Sequence, residues 1–253
     1  MENKQPSVLD LLIETHAGLE RQGPGSPEMT RKALGFLDHL DKFSLSADLG
    51  CGSGGQTMVL AQHLAGNIIG LDLFPDFINV LNENAQKQNL AERIKGVVGS
   101  MEDLPFEKEA FDLIWSEGAI DNIGFEKGLA HWHDYLKKCG YVAVTCPSWL
   151  TDERPAVIDK FWTDAGSGLD SVAHNIKILQ KCGYQFIASF TLPEKCWTDH
   201  YFIPREAALK SLLKKYNGNE TVAAFVAENR YEVELYAKYK QYYGYVFYIG
   251  KKV

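Results

Sequence analysis

The stretch Asp48-Leu-Gly-Cys-Gly-Ser-Gly-Gly55 constrains this chain more than any other. An apolar run, Leu45 to Leu49, leads directly into Gly50, Gly52, Gly54 and Gly55, and an amphipathic run follows at once. Strand, glycine turn and helix are the parts of a nucleotide-binding crossover. The glycines let backbone approach a ligand closely, and the helix N-terminus behind them offers unpaired N–H groups. Gly50, Gly52 and Gly54 fit one spacing, whereas Gly50, Gly52 and Gly55 fit the dinucleotide spacing. The turn alone leaves its ligand open.

Around this turn the pattern alternates. Strands are expected at 45–50, 67–73, 94–98, 111–115, 141–146, 184–190 and 245–249. Helices are expected at 7–20, 27–40, 54–65, 75–88, 125–138, 153–164, 169–181, 204–216 and 220–242. Ser7 and Ser26-Pro27 supply helix starts, and Pro75-Asp76 supplies another. Alternating strands and helices imply a doubly wound, mostly parallel sheet with helices on both faces. The expected organisation is one domain over 1–253. Residues 1–40 form an N-terminal helical cover, 41–190 the Rossmann-like core, 191–243 a helical lid and 244–253 the last strand.

Composition narrows the function. A net charge of −7 weighs against a partner that tracks nucleic-acid phosphates. Five irregularly spaced cysteines (51, 139, 146, 182 and 196) do not read as a disulfide framework. Met1–Pro6 lacks the apolar core of a signal peptide, and no run approaches a membrane span. A cytoplasmic protein with no membrane partner is the expectation, its oligomeric state open. His131 and His133 project from different faces of their expected helix, so no metal site is expected.

Three neighbours address the ligand. Asp72 closes the second strand 22 residues after Gly50, where a carboxylate can accept both hydroxyls of an adenosine ribose. Asp48 would repel a pyrophosphate but suits the positively charged amino acid end of S-adenosylmethionine. Ser100-Met101 after the third strand could frame an adenine.

With these residues the chain resembles the class I, Rossmann-like, seven-stranded S-adenosylmethionine-dependent methyltransferases, in the small-molecule branch that includes quinone-biosynthesis methyltransferases. The segments that carry the resemblance are Ala47–Gly54, Gly70-Leu-Asp72, Gly99–Phe106 and Phe111–Glu117, in the family's order. The resemblance implies that Asp48, Gly50, Cys51, Gly52 and Gly54 lie along the methionine moiety of S-adenosylmethionine. It further implies that Asp72 holds the ribose with Leu73 beside the adenine, that Ser100 and Met101 flank the adenine, and that Glu117 sits near the transferred methyl. It also implies an antiparallel last strand.

Methyl transfer from a sulfonium is an in-line displacement that depends mainly on orientation and on exclusion of water. The acceptor of such a protein, a small molecule, belongs beyond the carboxyl ends of the strands. Trp149, Trp197, Tyr201 and Asn122 are the expected acceptor contacts. His200, beside Asp199, is the first candidate base, with Glu117 as a second catalytic group and His16 as a weaker candidate. Arg21, in the loop before the first strand, is placed against the cofactor carboxylate. Two other readings are an NAD-dependent oxidoreductase and a catalytically silent S-adenosylmethionine-binding protein.

Overall fold

The computed structural model describes residues 5–38 and 40–253. The expectations for Met1–Lys4 and for His39 in helix 27–40 lie outside the described residues. One mixed sheet runs β3-β2-β1-β4-β5-β8-β7, with a two-residue strand, β6 (Asp170–Ser171), beside β5. The strands are β1 (Leu45–Leu49), β2 (Asn67–Asp72), β3 (Ile94–Val98), β4 (Phe111–Ser116), β5 (Leu136–Trp149), β7 (Tyr184–Thr191) and β8 (Tyr243–Lys252). Strands β1 to β5 pair in parallel, and β8 runs antiparallel between β5 and β7. The strand order reverses at β1, where β2 and β4 flank it on opposite sides. That switch point is where an open α/β sheet leaves a crevice beyond its carboxyl edge.

Two buried layers sandwich the sheet. One gathers residues of α2 (Pro27–Leu34), α3 (Gly55–His63) and α4 (Pro75–Lys87), among them Met29, Met58 and Leu81. The other gathers α5 (Phe125–His133) and α7 (Val172–Lys181), including Leu129, Trp132 and Leu179. Sheet strands covered on both faces read as continuous apolar runs, as the wholly buried Tyr141–Trp149 does.

One boundary differs in kind from its expectation. Leu129, Trp132 and Leu136 share helical spacing, which predicts a helix to 138. Yet α5 ends at His133, and Leu136 is already in β5, paired with Phe111. Cys139 has φ +64° and the ladder slips between Phe111 and Leu113, so the strand absorbs a local irregularity before Tyr141. Burial of Leu136 is satisfied equally well by either element, which is why spacing misjudged it.

The segment before β8 folds as α8 (Glu194–Trp197), a π-helical turn at Thr198–Phe202, α9 (Ile203–Lys215) and α10 (Glu220–Tyr239). Helix α1 (Val8–His16), capped reciprocally by Ser7 and Asp10, packs against α9 and α10. Leu11, Leu209, Leu212, Val222 and Phe225 form their common core. The N-terminal cover and the insertion therefore meet each other above the carboxyl edge of the sheet.

Candidate active site

Gly50, Gly52 and Gly54 all have positive φ, at +72°, +54° and +88°. A Cβ on Gly50 would stand 2.4 Å from the Cβ of Ala119, and one on Gly52 would stand 1.7 Å from Gln22 Oε1. The turn is thus closed on one side by the segment after β4 and on the other by the N-terminal strap. Gln22 clamps that strap down: its Oε1 accepts from Ser53 N at 3.0 Å, and its Nε2 donates to Ser53 Oγ at 2.8 Å. Ser53 Oγ in turn donates to Leu19 O at 2.6 Å. Replacing Gly50 by alanine forces a left-handed alanine against Ala119, and we expect about 2 kcal/mol loss of stability in urea unfolding.

Above the turn lies a cavity of about 1040 Å³, walled by the strap, the strand ends, α6 (Ala156–Asp164) and the lid helices. It falls at the upper end of the size of small-molecule sites, roughly 300–1,000 Å³. Of the residues singled out from the sequence, Arg21, Gly50, Gly52, Asp72, Leu73, Ser100, Met101, Glu117, Asn122 and Tyr201 line it. Asp72 is nearly buried; its Oδ2 accepts from Gly52 N at 2.9 Å and its Oδ1 from Phe74 N at 3.0 Å. The carboxylate so ties the end of β2 to the glycine turn. Trp132 Nε1 donates to Met101 O at 2.9 Å, fixing the backbone at which Met101 enters the cavity.

The other expected contacts lie elsewhere, for identifiable reasons. Asp48 is fully buried under the turn, where Thr57 Oγ1 donates to its Oδ2 at 2.6 Å and Gln56 Nε2 to its Oδ1 at 3.4 Å. Burial raises its pKa to about 7, partly countered by the Thr57 hydrogen bond. Because the folded pKa exceeds the ordinary value, this group's contribution is complete below about pH 4 and is lost as pH rises through 7. Asp48→Asn should therefore gain on the parent between pH 5 and pH 8, by about 2–3 kcal/mol when urea unfolding is compared across that range. Cys51 is fully buried, its thiol facing Gly70 within the core. Gly54 caps α3 beneath Leu81.

Trp149 is a core residue at the end of β5. Trp197 stacks on Tyr236 with ring centroids 4.3 Å apart and touches Tyr243 and Tyr245, so it glues the lid to β8 rather than lining the cavity. His200 sits half-buried in the π-helical turn, outside the cavity wall. A π turn widens the helix by one residue, and it is Tyr201 that this turn carries into the cavity.

His16, the weaker candidate, does line it. Its Nδ1 lies 2.9 Å from Leu12 O and its Nε2 lies 3.3 Å from Tyr201 Oη. Desolvation drives its pKa down to about 4, so the ring is neutral near pH 7, with Nδ1–H donating to Leu12 and Nε2 free to accept from Tyr201.

A buried ion pair and a partly buried one complete the walls. Arg21 Nη1 donates to Glu117 Oε2 at 2.6 Å, while Glu117 Oε1 accepts from Thr30 Oγ1 at 2.7 Å and Trp115 Nε1 at 2.9 Å. In the lid, Arg205 Nη1 donates to Glu232 Oε2 at 2.6 Å and to Tyr201 Oη at 2.9 Å. Arg205, Glu232, Gln22 and Asp121 escaped sequence reasoning. Each belongs to a helix or loop with no local motif, and their partners are 27 to 31 residues away or come from another element. Among the described residues no cluster suited to a metal ion occurs.

Residues 47–144 match the family model described as a methyltransferase domain. The chain is 28% identical over 147 residues to sarcosine/dimethylglycine N-methyltransferase of Aphanothece halophytica, covering 55% of this chain and 51% of that protein. It is 33% identical over 100 residues to demethylmenaquinone methyltransferase of Lactobacillus johnsonii, covering 38% and 41%. The chain thus spans about half the length, or less, of these curated relatives. Its fold is similar to the crystal structure of the [4+2]-cyclase SpnF, with TM-score 0.77, 18% identity and coverage of 97% and 93%. The fold is a Rossmann-like methyltransferase fold. Quinone-type methyltransferases are among the proteins the chain is similar to. A nicotinamide-dependent oxidoreductase finds no support in these relatives.

Proposed function

We propose that this chain is an S-adenosylmethionine-dependent methyltransferase for a small-molecule acceptor, built as a single domain over 1–253. The observation that carries the reading is the convergence of Asp72, Ser100 and Met101 on one cavity at the glycine turn. In this reading Asp72 accepts the ribose hydroxyls, and Leu73, Ser100 and Met101 surround the adenine. Gly50 and Gly52 let backbone reach the cofactor, with Asp48, Cys51 and Gly54 shaping the turn from beneath. Arg21 and Glu117 offer opposite charges to the zwitterionic amino acid end. When bound, S-adenosylmethionine supplies an activated methyl group, so the chain's own task is to orient the acceptor and exclude water. The strap 16–30 and the lid 191–243 do the excluding. Tyr201 and Asn122 contact the acceptor, and neutral His16, accepting from Tyr201, takes the place of His200 as the group nearest to a base.

An acidic chain of net charge −7 favours a small molecule over nucleic acid as the partner. All five cysteines are free, which suits a reducing cytoplasm. No helix among the described residues is long and apolar enough to cross a membrane.

A second reading has its own observation: a fold of this class is carried by a protein described as a cyclase. Fold alone therefore does not secure methyl transfer. The discriminating experiment supplies S-adenosylmethionine labelled in its methyl group to purified protein and a cell extract. Label passing to a small molecule supports the methyltransferase. Cofactor binding without any transfer supports the silent alternative.

A further inference from the structure

The cavity is lined by more carboxylates than cations. Every cation on its wall is already matched: Arg21 by Glu117 at 2.6 Å, Arg205 by Glu232 at 2.6 Å and Lys160 by Asp164 at 2.7 Å. Asp121 is the opposite case. It belongs to the 3₁₀ turn Ile120–Asn122 just beyond β4, where the main cavity meets a second one of about 280 Å³, and it lines both. The residue is half-buried; its Oδ1 is shut from water without a side-chain partner, and the carboxylate's remaining contacts are its own backbone N–H and a long one, 3.4 Å, from Ser167 Oγ to Oδ2. No Lys or Arg side chain forms an ion pair with it among the described residues.

We propose that Asp121 anchors the methyl acceptor, and that the acceptor presents to it a protonated amine carried on an apolar body. The proposal rests on the methyltransferase reading above and names its substrate class. A carboxylate held out of water without a cation is costly, and a ligand that brings one removes the cost. Burial raises the pKa of Asp121 to about 6, which still leaves it mostly ionised at neutral pH. An anionic acceptor would find no unmatched cation here, and a neutral one would leave the carboxylate uncompensated. Glu228, exposed at the rim, adds charge of the same sign.

The remaining wall suits the rest of such a ligand. Phe161 and Tyr231, edge to face with centroids 6.4 Å apart, line the cavity together with Tyr201 and Tyr245. Aromatic faces attract an ammonium group and also pack against an alkyl or aryl body. Tyr245 lines the cavity as well, and burial, with Asp121 adding to it, pushes its pKa upward. Tyr245 is thus a second polar group on the same wall.

The test uses n-propylamine, benzylamine and 2-phenylethylamine as probes, each set against the alcohol and the carboxylate of the same skeleton. Binding is measured calorimetrically on the full chain, with and without saturating S-adenosylhomocysteine. At least one amine should bind about tenfold or more tighter than its alcohol and carboxylate counterparts. Asp121→Asn should reduce that preference to within about threefold while S-adenosylhomocysteine affinity, reporting an intact fold, stays unchanged. Absence of amine preference in the parent protein overturns the proposal, as does a preference that survives in Asp121→Asn. Should S-adenosylhomocysteine itself fail to bind, the methyltransferase reading falls, and the series without it still decides whether Asp121 selects amines.

Discussion

Asp72→Ala is expected to weaken S-adenosylhomocysteine binding by about 10- to 100-fold, measured by titration calorimetry. The side chain closes β2 at the cavity wall, nearly buried, so its oxygens face the ligand with little competition from water. Hydrogen bonds to a charged group contribute about 1.5–3 kcal/mol, which sets the expected range. The alanine also releases Gly52 N and Phe74 N, both of which the carboxylate accepts at 2.9 and 3.0 Å. Some of the loss will therefore come from a slackened turn. Asp72→Asn separates the two: it keeps one acceptor and should fall between parent and alanine. Affinity unchanged in the alanine variant would mean that the ribose is not held at the end of β2.

The Arg21–Glu117 pair should produce the largest stability effect in the chain. Both side chains are almost wholly buried, 3% and 2% exposed, and the pair joins the N-terminal strap to the end of β4 across 96 residues. Removing one partner strands the other charge out of water, which costs about 3–5 kcal/mol. Arg21→Met and Glu117→Gln should each lower the urea midpoint accordingly. The double variant should be more stable than the sum of the single losses predicts, because neither charge is left behind. Strict additivity would show that the two groups do not depend on each other. The Trp115 and Thr30 hydrogen bonds to Glu117 Oε1 then become the more important contacts.

Periodicity and a few ordered motifs made the Rossmann-like core legible. Strands β1 to β4 were bounded to within a residue because each is a short, mostly apolar run followed by a polar or glycine-rich turn. The antiparallel direction of β8 followed from the family resemblance, and the helical insertion before it from the pattern over 204–216 and 220–242. Asp72, Ser100 and Met101 were readable because topology fixes them at strand ends, and all three reach the cavity. The rest of the cavity wall was not. Trp149 and Trp197 looked like pocket residues by composition, yet Trp149 is spent on the core at the end of β5 and Trp197 on packing the insertion against β8. His200 was chosen for its neighbours in sequence, whereas the cavity histidine, His16, comes from a helix 185 residues distant from its partner Tyr201. Arg205, Glu232 and Asp121 carry no sequence signature at all. Their importance lies in which charges find partners, and only the packed chain decides that.

The central claim, an S-adenosylmethionine site at the glycine turn, is tested most directly by calorimetric titration of the wild-type chain with S-adenosylhomocysteine. One molecule bound per chain, with affinity lost on Asp72→Ala, is the predicted result. No heat of binding, or binding that ignores the loss of Asp72, would contradict it.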